Sequence, residues 1–154
     1  MSPSAELHYK TIVELAPLIE SRELSPVDLT QEMLDRIELL DGTLKAYATL
    51  TPELALDQAR QAEQEIIEGN YRGPLHGIPI GLKDNLATAG ITTTVGSKVL
   101  ADHVPEEDAE VVVRCRDAGA IFIGKENLEE FAAGATSNNP HYGAVHNPWG
   151  LAHI

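Results

Sequence analysis

The chain has 154 residues, enough for one domain of ordinary size, and its 43% hydrophobic and 23% charged content is that of a globular protein whose core, with aromatics at 5%, must be mostly aliphatic. A net charge of −13, from 24 acidic and 11 basic residues, argues against nonspecific nucleic-acid binding, which needs Lys and Arg to displace counterions from phosphates, and against docking on an anionic membrane. Cys115 is the single cysteine, so no internal disulfide can form.

Residues 1–10 read as a loose polar terminus without the apolar centre of a signal peptide. No apolar run approaches the roughly 18 residues of a membrane span, so the expected address is the cytoplasm. Ile12, Leu15, Ala16 and Ile19 recur at helical spacing, but Pro17 inside a helix costs about 3 kcal/mol, which predicts either a kink or a late start. The next helix is better announced. Ser25 can cap it, Pro26 suits its first position, and Asp28 suits its first turn. Leu29, Met33, Ile37 and Leu40 then form a stripe that Asp41-Gly42 is expected to end. KAYATL, residues 45–50, alternates weakly and reads as a short strand. A third helix begins near Thr51-Pro52, with Ala55, Ala59, Ala62 and Ile66 along one narrow face and Gly69-Asn70 as its stop.

From residue 73 the character changes. IPIGL reads as a buried strand bounded by Gly77 and by Lys83-Asp84-Asn85, and TTTV, residues 92–95, as a strand or an extended loop. Asp108 looks like a helix cap, Val111, Cys115 and Ala118 line one side of that helix, and Gly119 ends it. Cys115 reads as a small buried hydrophobe. AIFIG then has the continuous apolar run of a parallel strand covered on both faces, which completes a βαβ pattern. The expected organisation is a helical segment over 1–72 followed by the start of an α/β core over 73–154.

Lys83 is the first candidate for chemistry. It falls at the carboxyl end of the IPIGL strand, where open α/β sheets place their ligand crevice. Adjacent strand residues face opposite sides, so Lys83 and Asp84 need not pair. In an apolar pocket the amine's pKa falls, and moving it from about 10.4 to near 7 takes roughly 4–5 kcal/mol of differential solvation, which makes it a usable general base. The competing reading is a solvated lysine at a strand end. GIPIGLKD is not a phosphate loop: Gly77 and Gly81 are too close, and Asp84 stands where a hydroxyl is needed. His141 and His146 lie in a Pro- and Gly-rich loop without ligand spacing, so no metal is expected, and His76 is only a candidate supporting group. Residues 126–150 offer backbone N–H groups, hydroxyls and amides that can line a pocket beside a strand end, or form an ordinary surface loop. No G-x-S-x-G occurs, and no obvious nucleophile accompanies Lys83.

GPLHGIPIGLKDNLATAGITTTVGSKVL and DAEVVVRCRDAGAIFIGKENLEEFAAGATSNNPHYGAVHNPWG resemble the amidase signature family, as do the leading helices around ELAPLIESRELSPVDLTQEMLDRIELLD. The resemblance implies an α/β fold in which N-terminal helices precede a mixed β-sheet covered by helices. It also implies hydrolysis or transfer at carbon–nitrogen amide bonds through a Ser–cis-Ser–Lys triad, without a cofactor. Lys83 falls on the family's lysine, the base that takes the proton of a bridging serine. The loop containing Phe131, Ala132, Ala133 and Gly134 falls on the family's substrate-lining segment. The family's two serines belong to a Gly/Ser-rich stretch expected after HNPW and a segment some two dozen residues beyond it, and neither has a counterpart in these 154 residues. The implied protein is therefore the first part of an amidase acting on a small-molecule amide. It is expected to be inactive alone, to touch neither nucleic acid nor membrane, and to self-associate through exposed core. The alternative is a natural truncated partner or decoy of a full-length amidase.

Overall fold

A computed structural model describes residues 7–153. Among the described residues there are four α-helices: α1 (Ile12–Glu20), α2 (Pro26–Leu44), α3 (Pro52–Ile67) and α4 (Glu110–Asp117). The strands are β1 (Tyr47–Leu50), β2 (Pro79–Lys83), β3 (Ile121–Glu126) and the short pair β4 (Asn138–Asn139) and β5 (Gly143–Ala144). The fold is thus mixed α/β, with helices leading into a sheet. Contacts group the chain into two units, one made of the chain through Ile37, Thr51–Ile80 and Arg114–Ile123, the other of Glu38–Leu50, Gly81–Val113 and Gly124 onward.

In the first unit a core of Leu7, Leu15, Ile19, Leu29, Ile66 and Ile78 is joined by the partly buried Leu24, Met33, Tyr71 and Ile80. α1 starts at Ile12 and carries Pro17 within it, so the late start does not occur. The Glu14 carboxylate accepts from the Thr11 N–H and hydroxyl, both at 2.7 Å, which fixes the first turn. Ser25 Oγ accepts from the N–H groups of Val27 and Asp28, the capping expected at the start of α2. α3 buries the expected face of Ala55, Ala59, Ala62 and Ile66. Its end closes with Asn70 N–H donating to the Glu65 carbonyl, and Gly69 supplies the φ of +87° that this closure needs.

Two local expectations are corrected, and one open alternative is decided. α2 does not stop at Asp41-Gly42 but runs to Leu44, because a lone helical glycine costs only about 1 kcal/mol. Asp41 acts beyond the helix instead, where its carboxylate accepts from the N–H groups of Ala46 and Tyr47. In α4 the buried residue is Val112, while Val111 is exposed and Cys115 half-buried. Residues 92–95 form an extended loop rather than a strand.

The main sheet has the order β1-β3-β2. β1 pairs antiparallel with β3, setting Tyr47 against Glu126, Thr49 against Lys125 and Leu50 against Gly124, with an irregularity between Tyr47 and Thr49. β2 runs parallel to β3: Ile121 N–H donates to the Ile78 carbonyl at the start of the pair, and Asp84 N–H to the Glu126 carbonyl at its end. β3 is buried from Ile121 through Lys125, as its unbroken apolar run predicts for a central strand. Among the described residues no helix is long and apolar enough to cross a membrane.

Ile19 is fully buried, so Ile19→Ala is expected to cost about 2–5 kcal/mol, read as a lower urea midpoint with an unchanged slope. Val13, 81% exposed on the same helix, is expected to tolerate alanine within about 0.5 kcal/mol.

Candidate functional site at the carboxyl end of β2

The alternation of a strand puts Lys83 and Asp84 on opposite sides. Lys83, the last residue of β2, is exposed, and its ammonium makes no hydrogen bond or ion pair among the described residues. These residues therefore do not supply the desolvation that the sequence reading expected around it. Asp84 is completely buried. Its carboxylate accepts from the Thr94 N–H at 3.1 Å and from the Thr94 hydroxyl, and its carbonyl accepts from Val95 N–H at 3.0 Å. A carboxylate turned inward and satisfied in this way cannot line a phosphate loop, which agrees with the rejection of that motif.

Lys125 near the end of β3 is the larger surprise. Its side chain is fully buried. The ammonium donates to the Leu86 carbonyl at 2.6 Å, to Thr88 Oγ1 at 2.9 Å and to Thr93 Oγ1 at 2.7 Å, which uses all three of its hydrogens. Burial lowers its pKa, and the negative charges of Asp84 and Asp108 pull it back toward the charged form. Asp108 also accepts the Ala89 N–H at 2.7 Å, tying down the same loop. Sequence reasoning passed over Lys125. The available signal was a lysine placed at the end of AIFIG, inside a run otherwise suited to complete burial.

The other candidates occupy distinct places. Phe131, Ala132, Ala133 and Gly134 are exposed. Phe131 and Ala132 both have a φ of 55°, a region that residues with a side chain seldom occupy. The segment is anchored where Phe131 N–H donates to the Val95 carbonyl at 2.8 Å. The Glu129 carboxylate holds the Thr136 N–H and hydroxyl and lies close enough to Gly134 that a Cβ there would collide with it. Asn139, also missed, is buried and bridges two strands of chain: its amide donates to the carbonyls of Gly96 and Leu128, and its oxygen accepts from the N–H groups of His141 and Tyr142. Ser97 is buried and gives its hydroxyl proton to Glu130 at 2.7 Å, with His141 3.1 Å from the same carboxylate oxygen. The carboxylate stands between serine and histidine, the reverse of the order a nucleophilic triad requires.

His76 lies before the other end of β2. Its Nδ1 accepts from Arg72 N–H at 3.1 Å, which leaves Nε2 carrying the proton, 3.2 Å from the Glu65 carboxylate. Arg72 pairs with the same carboxylate at 2.7 Å. Burial lowers the His76 pKa, the Glu65 charge opposes this, and the Arg72 charge adds to it. Burial pushes Glu65 up, but hydrogen bonds from Gln61 and Arg72 and the charges of Arg72 and His76 leave it below its usual range. These side chains line a polar cleft of about 330 Å³.

The Amidase family model matches residues 28–154, and the chain belongs to that family. It is 47% identical over 148 residues to the A subunit of glutamyl-tRNA(Gln) amidotransferase from Methylococcus capsulatus, covering 96% of this chain and 30% of that protein. The corresponding protein of Carboxydothermus hydrogenoformans is 42% identical over 97% of this chain and 31% of its own length. Among solved structures, the native peptide amidase of Stenotrophomonas maltophilia matches with a TM-score of 0.88 at 36% identity, covering 99% of this chain and 32% of that one. Fatty acid amide hydrolase matches with a TM-score of 0.90 at 25% identity, over 98% of this chain and 27% of its own. The chain thus spans about a third of the length of the proteins it matches.

The His76 cluster sets a pH dependence. Above pH 6.5 folded and unfolded chains both hold His76 neutral and its contribution is complete. Below that value the unfolded chain binds a proton that the folded chain resists, so stability falls until the pH reaches the lowered folded value. His76→Gln is expected to flatten the fall in urea midpoint between about pH 6.5 and 5.5, a window above the titration of Glu65. An unchanged slope would assign the dependence to other groups.

Proposed function

We propose that the protein containing this chain breaks carbon–nitrogen amide bonds by a Ser–cis-Ser–Lys mechanism, with Lys83 as the general base. The carrying observation is Lys83 itself: it ends a strand of a parallel pair, its neighbour Asp84 is buried and satisfied, and its own exposed amine makes no hydrogen bond or ion pair among the described residues. In this reading Lys83 as a neutral amine takes the proton of a bridging serine, which takes that of the nucleophilic serine; the serine oxygen bonds to the amide carbon, the C–N bond breaks, the nitrogen leaves carrying a proton relayed back along the same path, and water then releases the acyl group as the acid. Membership of the Amidase family supports the reaction class. The relatives' names span free amidases and a component of an amidotransferase, and the proposal commits to the amide bond common to both. Phe131, Ala132, Ala133 and Gly134 would line the substrate's approach as an exposed surface, with the N–H groups of the first three already donated to the carbonyls of Val95, Glu129 and Glu130.

The desolvation that a lysine base requires would come from parts of the protein beyond these residues. By themselves the 154 residues would hydrolyse no amide, because among the described residues no serine hydroxyl bonds to Lys83, and that of Ser97 is buried and committed to Glu130. Self-association of the isolated chain through exposed core belongs to the same reading. The expected setting is the cytoplasm, with a small-molecule amide as substrate and no direct contact with nucleic acid or membrane.

In the full-length protein, Lys83→Ala is expected to lower ammonia release from a simple primary amide by about 100-fold or more. The 154-residue chain is expected to release none above the blank. Full activity in Lys83→Ala, or Lys83-dependent release by the isolated chain, would overturn the proposal.

A further inference from the structure

We propose that Lys125 and Asp84 are positioning residues for Lys83, two buried charges that lock the turn after β2 and the 131–134 loop into one frame. The proposal rests on the reading of Lys83 as the base.

The connections are continuous. Asp84 follows Lys83 directly, and all its polar groups are engaged: its N–H donates to the Glu126 carbonyl at the end of β3, its carbonyl accepts from Val95, and its carboxylate holds Thr94. Val95 passes the constraint on, since its carbonyl accepts from Phe131 N–H at the head of the 131–134 loop. Val95 has a φ of 51°, costly for a β-branched residue, and is held there by bonds at both its N–H and its C=O. Gly96 reinforces the strap. Its N–H donates to Thr94 Oγ1, its carbonyl accepts from Asn139, and with a φ of 68° and the Asn139 amide against it, it has no room for a side chain.

Lys125 secures the other half of the excursion. Its three bonds reach Leu86, Thr88 and Thr93, which bracket the chain between the Asp84 turn and the Thr94 strap. Burying an ammonium is a poor way to gain stability, because an apolar side chain of similar volume serves as well. What the ammonium provides is direction: it draws one carbonyl and two hydroxyls to a single point, and so fixes the path by which the chain leaves Lys83 and returns beside it. Glu126, next along β3, packs its carboxylate against Gly81, on the same side of β2 as Lys83. A shift of the β3 end would therefore disturb the surroundings of Lys83 through both neighbours.

The test uses the full-length protein and simple amide hydrolysis, with kcat and KM measured separately for Asp84→Asn, Lys125→Met and Thr93→Val. Positioning predicts that kcat per folded molecule falls about 30-fold or more in the first two and about 3- to 10-fold in the third, with KM within about threefold, since misplacing a catalytic group by about 1 Å can cost 100-fold. Ile19→Ala, destabilised in the other contact unit, is the comparison and is expected to keep kcat. If Asp84→Asn and Lys125→Met keep wild-type kcat, or lose it only in proportion to the unfolded fraction as Ile19→Ala does, the inference fails. Should those two variants not fold, Thr93→Val decides it, an unchanged kcat there being equally fatal. Activity surviving in Lys83→Ala would instead remove the reading beneath it, so the two failures are distinguishable.

Discussion

The ammonium of Lys125 is the constraint around which the second contact unit is arranged. Each of its three hydrogens meets an oxygen from a different point of one irregular excursion, at Leu86, Thr88 and Thr93. A stretch without regular secondary structure has no ladder to satisfy its backbone, so its polar groups must be met individually. Lys125 from one side and Asp84 from the other do much of this, and the excursion becomes a fixed part of the fold although it is neither helix nor strand. The charge of Asp84 also favours the ionised form of Lys125, against the burial that lowers its pKa.

That arrangement explains how a functional edge can be built where β2 ends. A parallel pair directs the carboxyl ends of both strands to one side. Two lysines arrive there on adjacent strands with opposite fates, Lys125 turned inward and completely buried, Lys83 turned outward and exposed. One is spent on structure and the other is left available. The 131–134 loop reaches the same frame through a single backbone bond to Val95, and the left-handed conformations of Val95, Phe131 and Ala132 show that its path is imposed by its anchors rather than by local preference. The polar cluster of Glu65, Arg72 and His76 is a separate device, fastening α3 to the chain that enters β2.

Periodic features were the legible ones. The buried face of α3, the Ser25 cap and the fully covered β3 could all be read from spacing, because burial on one face leaves a period in the sequence. Membership of the amidase family was legible from motifs spread over GIPIGLKDN, GAIFIGKEN and HNPW. What could not be read was the destination of long-range hydrogen bonds. For Lys125 the local hint was its place at the end of a run suited to burial, and nothing local separates Asn139 from its exposed neighbour Asn138; the partners of both lie up to 43 residues away. Gly42 misled for a related reason. As a stop signal it is weak, and the chain beyond it was already held by Asp41. The exposure of Lys83 shows a further limit: the apolar run before a lysine does not fix the lysine's own surroundings, and the described residues leave this one exposed.

The measurement that bears most directly on this account is native-state amide hydrogen exchange at Asp84, Thr94 and Val95, whose N–H groups bond to the Glu126 carbonyl, the Asp84 carboxylate and the Asp84 carbonyl respectively. If the buried charges hold the frame as a unit, these three amides exchange only through global unfolding, as slowly as the amides of β3, despite belonging to no helix and, apart from the end of β2, no strand. Exchange of Thr94 and Val95 by local opening, well ahead of β3, would contradict the account and leave the turn after Lys83 an ordinary mobile loop.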